Sequence, residues 1–216
     1  MPRALIILLR GALARRWGVR AARIYAVMVS LSVTATIWFL ARRFGPDTST
    51  VSLVARAAAL LTWIAGGIAA LSLAVPPKDT ALSNGIAALA STHGIDDVTI
   101  ARAEMAATVR LLGEVIVVPV AAIALFVSLI VAGGKLDGGI WPILGSVLFG
   151  LVAALLLGVV TSACRKWGGP RGRTLLVAVV LAPWVLSELL LPRSGDLLSI
   201  PGLLGRIWQA LTSGVA

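Results

Sequence analysis

Few residues in this chain have the types and spacing that chemistry requires. There is one histidine, His93, and one cysteine, Cys164. That rules out a histidine pair, an internal disulfide and a multi-cysteine metal site. No Gly-x-Ser-x-Gly sequence and no P-loop occurs, so the chain is read as no enzyme by itself, and any ATP hydrolysis belongs to another polypeptide. No stretch has the pattern of a cofactor, metal or nucleotide site. What remains is a set of ionisable residues inside apolar runs: Arg56, Arg110, Glu114 and Glu188. A charge in hydrocarbon is costly and persists where it pairs, snorkels or works. Arg110 and Glu114 are four residues apart and can pair on one helix face. Their functional reading is a gate or proton site; their plain reading is an interfacial ion pair. Arg56 can snorkel outward or meet a substrate, and Glu188 can face Arg56 or Arg193.

These residues need elements to hold them, and composition says where those elements lie. Of 216 residues, 59% are hydrophobic and 13% charged, and the mean hydropathy is +0.99. A soluble domain is about 45–50% apolar and roughly 25% charged, and a disordered chain is less apolar still. A polytopic membrane protein is the class left. The net charge of +10 would point to nucleic acid in a soluble chain. Here the basic residues flank apolar runs and set orientation instead, so no nucleic-acid partner is expected.

A helix crossing the hydrocarbon needs about 20 mainly apolar residues. Five runs qualify, at 24–41, 51–75, 111–132, 140–163 and 174–191. The expected fold is therefore an all-α transmembrane bundle forming one domain over 1–216. Residues 2–20 read as an amphipathic interfacial helix with Leu5, Leu8, Leu9 and Leu13 on one face. Residues 199–214 contain Arg206 and are too few to span, so they read as an interfacial or re-entrant helix. With the N-terminus in the cytoplasm, thirteen Lys and Arg lie inside and five outside. That bias places the N-terminus in the cytoplasm and the C-terminus outside. The Arg42-Arg43 pair, on the outer side, runs against it. Pro119, Pro142 and Pro183 lie within spans and can kink them. Gly66-Gly67, Gly145, Gly150 and Gly158 permit close helix contact.

The inner loop at 76–110 is the most informative segment. Pro76-Pro77 ends the second span, and residues 79–93 read as a short amphipathic helix with Leu82, Ile86 and Leu89 as one stripe. His93-Gly94 stops it, and Asp96 or Asp97 caps the next helix. That helix runs unbroken from Val98 to Ala132, roughly 50 Å, and so projects beyond the bilayer or tilts. A short transverse helix feeding a long one suits docking of a cytoplasmic partner; an inert connector is the other reading. The second inner loop, around Arg165-Lys166-Trp167, is basic and turn-rich, and fits positive-inside anchoring or a partner contact.

This order of parts resembles the type-2 permease class of ATP-binding-cassette transporters, closest in layout to the haem-exporter B branch. The resemblance is carried by Gly85-Ile86-Ala87-Ala88-Leu89, the His93-Gly94 break, Ile100-Ala101-Arg102 and the Lys166–Pro183 stretch, and it covers about residues 2–192. It implies a permease subunit in the bacterial inner membrane that moves an amphiphilic substrate. It also implies a cytoplasmic ATPase partner and a second permease chain. The coupling helix would meet the ATPase through Thr80, Ser83, Asn84, Gly85, Ala87, Ala88 and His93, with Arg165, Lys166 and Trp167 as a second contact. Two features depart from the family: Ala74-Val75-Pro76-Pro77 replaces the charged residues usual after span two, and the sixth span has no counterpart. They motivate the alternative of a non-transporting assembly or anchoring subunit. A passive channel is disfavoured because no span carries a polar stripe. Residues 104–110 (EMAATVR) are similar to the Glu/Arg motif of CAAX-type membrane proteases but lack its double Glu and its membrane histidines.

Overall fold

A computed structural model describes residues 3–44, 49–76, 85–86, 88–90, 92–127 and 141–190. Among them there is no strand. The helices are α1 (Arg3–Ala14), α2 (Trp17–Phe44), α3 (Ser49–Leu60), α4 (Gly66–Leu73), α5 (Asp97–Phe126), α6 (Trp141–Gly168) and α7 (Gly172–Leu190). A π turn over Leu61–Ala65 joins α3 to α4, and a 3-10 turn over Gly169–Arg171 joins α6 to α7. Four stretches are long and apolar enough to cross a membrane: Trp17–Arg43, Arg56–Leu73, Asp97–Phe126 and Ile143–Val180. The last runs through the turn at Gly169 (φ +49°), so it takes in both the fourth and part of the fifth apolar run. The segments expected at 199–214 and 128–132, and residues 79–84, lie outside the described residues.

Helix α5 is the centre of the bundle and packs against α1, α2, α4, the π turn and α6. Its buried face carries Leu111, Leu112, Val115, Ile116, Val120 and Ile123. Lipid tails are as apolar as leucine, so spans associate through close packing and polar bonds more than through apolar burial. The glycines supply the close packing. Val109 sits against Gly158, and Val117 against Gly150; the two pairings have opposite sequence direction, so α5 and α6 run antiparallel. A Cβ at Gly158 would stand 2.9 Å from the Val109 backbone. Gly18 gives α2 the same close approach to Ser72 on α4.

The N-terminal helix is shorter than expected. It stops at Ala14, and residues 17–20 belong to α2. Arg16 lies in the turn between them, and its side chain bonds the end of α4. Leu5, Leu9 and Leu13 are buried at four-residue spacing, while Leu8 is 60% exposed with Ile7 beside it. The packed stripe is therefore narrower than Leu5, Leu8, Leu9 and Leu13 together.

Candidate functional site

Two clusters of arginine form around two glutamates of α5. The first fastens the end of α4. A helix leaves its last four carbonyls without intrahelical donors, and here Pro76 and Pro77, just past the end, carry no backbone N–H. Ala74 N–H reaches the Ala70 carbonyl at 2.8 Å. Arg173 Nε donates to the Leu71 carbonyl at 3.1 Å. Arg16 Nη1 donates to the Ser72 and Val75 carbonyls at 2.7 and 2.6 Å. Two guanidinium groups from different elements thus close the helix end, where its dipole also favours cations. Gly172 adds to the fastening: a Cβ there would collide with the Ala74 carbonyl oxygen, so only glycine lets α7 start against this end.

Arg165 lies in the same cluster. It is 9% exposed and pairs with Glu104 at 3.3 Å. Burial, and next the charge of Arg165, pull the Arg16 pKa down to about 10, with Glu104 opposing. Arg16 therefore remains a bound cation at neutral pH. Its Nη2 is buried with no hydrogen-bond partner among the described residues. Arg165 was expected at a docking surface; it is turned into the bundle because the antiparallel register of α5 and α6 brings it opposite Glu104. Its neighbours Lys166 and Trp167 are exposed, Trp167 at 79%.

The second cluster surrounds Glu114. Arg23 Nη2 lies 2.8 Å from Glu114 Oε2, Arg10 Nε 3.4 Å from Oε1, and Arg110 Nε 4.0 Å from Oε1. The pair expected within α5 is thus present but is the loosest of three. The shortest bond comes from α2 and the second from α1, so Glu114 joins three elements. Every member keeps at least 29% of its side chain exposed. Beside it an open groove of about 560 Å³ runs between α5 and α6, lined by Val109, Arg110, Gly113, Glu114, Val117, Val118, Leu151, Val152, Ala154 and Leu155. Gly113 keeps it open, since nothing lies within 4 Å of where its Cβ would be.

The expected coupling segment is helical at residues 85–86, 88–90 and 92. It ends in a Schellman turn: Ile95 N–H reaches the Ala90 carbonyl at 3.0 Å across Gly94, whose φ is +69°. Ile86 and Ala90 face the core, whereas Leu89 is 62% exposed. Leu89 thus leaves the stripe that the sequence assigns it, because the packed face follows the four-residue step from Ile86 to Ala90. Gly85, Ala88 and His93 are exposed, and His93 donates from Nδ1 to the Leu89 carbonyl at 2.8 Å. Asp96 is extended and opens α5; the Thr99 hydroxyl beside it holds its carboxyl below the usual carboxylate range. Thr80, Ser83, Asn84 and Ala87 lie outside the described residues.

Of the other intramembrane charges, Arg56 is exposed. Glu188 is in α7, but its side chain lies outside the described part, as does Arg193. At the end of α2, Arg42 stacks over the Trp38 ring at 4.5 Å. Among the described residues no group of three His, Cys, Asp or Glu could hold a metal. No family model matches the chain, and no curated protein or solved structure matches it either.

Proposed function

We propose that the chain is the transmembrane permease subunit of an ATP-binding-cassette-type transporter in the bacterial cytoplasmic membrane, with a separate polypeptide hydrolysing ATP. The observation that carries this reading is the link between Leu89 and the fastened end of the bundle. The segment holding Leu89 is packed on one side through Ile86 and Ala90 and presents Leu89 on the other. It leads directly into α5, whose Glu104 pairs with Arg165, and it follows α4, whose end is held by Arg16 and Arg173. A partner pressing on Leu89 would therefore move α4, α5, α6 and α7 together, as a rigid-body displacement. A loose connector would absorb the push.

In this reading α6 and α7 are separate spans and the chain has five. The arginine-rich end is cytoplasmic, as the N-terminus is, and the C-terminus is outside. Of the Arg42-Arg43 pair that runs against the charge bias, Arg42 is accommodated by its stacking on Trp38 at the opposite interface. Lys166 and Trp167 supply the second partner contact, without Arg165. A second permease chain completes the path for an amphiphilic substrate.

Purification of the tagged chain from its native membrane in mild detergent tests this. A stoichiometric ATPase subunit, lost when Gly85 and Leu89 are replaced by Asp, is the expected result. The assembly-subunit reading is favoured by α2, of whose apolar window only 11% is buried within the fold, a face suited to a neighbouring subunit. Partners with no ATPase among them would replace the permease reading with that one.

A further inference from the structure

We propose that the groove between α5 and α6 is a binding site for one anionic phospholipid, with its phosphate held by Arg10, Arg23 and Arg110 and an acyl chain lying over Gly113. The inference rests only on a membrane location and is independent of any ATPase partner.

Charge complementarity carries it first. Three arginines meet one carboxylate at Glu114, and no second acidic side chain pairs with them among the described residues. The cluster keeps a surplus of two positive charges. Arg10 and Arg110 approach Glu114 through Nε, and neither has another hydrogen-bond partner among the described residues. Their terminal nitrogens are the donors that phosphate oxygens take in forked pairs.

Shape carries it second. Arg110 and Glu114 border the groove with the apolar stems of their side chains, Gly113 lies between them, and Val117, Val118 and Leu151 continue it as an apolar trough. Gly113 to Val118 spans roughly 8 Å of helix, about half the ~15 Å depth of one leaflet's hydrocarbon. A cationic cluster beside an apolar trough that takes the first part of an acyl chain suits a lipid. A soluble anion would leave the trough empty, and a neutral lipid would leave the charge surplus unanswered.

The full chain in detergent, titrated with phosphatidylglycerol or with phosphatidylcholine of the same acyl chains, tests this by native mass spectrometry. Phosphatidylglycerol should be retained as a single adduct at least about tenfold better than phosphatidylcholine. Arg23→Gln should weaken it about fivefold, the worth of one arginine near an anionic surface. Glu114→Gln should strengthen retention, because it removes the one acidic side chain that pairs with these arginines among the described residues; a purely structural Glu114 would not do this. Gly113→Leu fills the trough where there is space for it, and should abolish the adduct with the melting temperature unchanged. Equal retention of the two lipids would overturn the proposal. So would a Gly113→Leu protein that folds and keeps phosphatidylglycerol, or glycerol 3-phosphate binding as tightly as the lipid. A dimer lost in Gly113→Leu, with no dependence on lipid, would assign the groove to a second copy and overturn it too.

Discussion

Glu104 and Glu114 stand about 15 Å apart on one helix, each among three arginines, and the two clusters do different work. Around Glu104 the surplus charge is answered from within the protein. The carbonyls of Leu71, Ser72 and Val75 take the guanidinium donors of Arg173 and Arg16, and Arg165 is all but sealed. Around Glu114 no carbonyl of a helix end among the described residues takes up the surplus, the side chains stay partly exposed, and an apolar groove opens beside them. Residue type does not separate a lock from a site. What separates them is whether helix-end carbonyls of the protein take up the surplus charge.

The comparison is broken most severely at Arg16. Arg16→Met keeps the length of the side chain but leaves the part-buried Ser72 and Val75 carbonyls without their guanidinium donor, and Pro76 has no N–H to offer Ser72 in its place. Each unmet group costs about 1–3 kcal/mol when fully buried and less here, so a loss of about 3 kcal/mol is expected. Unfolding of the purified protein in a detergent titration measures it. Gly172→Ala comes next, at about 3 kcal/mol or less, since its methyl meets the Ala74 carbonyl oxygen and α7 must shift. Gly113→Ala, on the open side of the same bundle, is expected to change the melting temperature little. A large loss at Gly113 would mean that the groove closes in solution, and the contrast would fail.

How much of this could be read from the sequence depends on the range of each interaction. The membrane class and the helical fold follow from composition and run length, which are local properties. The Arg110–Glu114 pair follows from a four-residue spacing, and the close approaches at Gly150 and Gly158 from small residues in an apolar run. Pro76-Pro77 announces that α4 ends with unsatisfied carbonyls. That Arg16 and Arg173 supply the donors does not follow, because they come from 56 and 102 residues away. Arg23 reaches Glu114 across 91 residues for the same reason. Arg165 reads as a loop cation in sequence and is buried in the structure, because only the pairing register of α5 and α6 places Glu104 opposite it. For Leu89 the margin is smaller: a period near 3.6 allows either Leu89 or Ala90 to follow Ile86 on the packed face, and the smaller residue packs.

Glu104→Gln sharpens the comparison further. It strands the Arg165 charge, which has almost no access to solvent. Breaking a buried pair by removing one partner costs up to about 3–5 kcal/mol. Glu104 itself is 39% exposed, so a loss of about 2 kcal/mol is the expected outcome. The same detergent titration reads it, and a restored stability in Glu104→Gln combined with Arg165→Met would confirm that the stranded charge is the cause.

Glu114→Gln is the same chemical change ten residues along the helix, and its effect should be the smallest. Exposed ion pairs contribute about 0–1 kcal/mol, and all three arginines here can turn outward once the carboxylate is neutral. A loss below about 1 kcal/mol is expected in stability, together with a gain in affinity for anionic lipid. The two readouts moving in opposite directions is the informative result. In a lock, removing the central carboxylate weakens everything that depends on it. In a site whose ligand is an anion, that carboxylate is the ligand's competitor, and its loss strengthens binding while slightly loosening the fold. If Glu114→Gln instead destabilised the protein as much as Glu104→Gln and left lipid retention unchanged, both clusters would be locks, and the groove would be a packing defect beside the second of them.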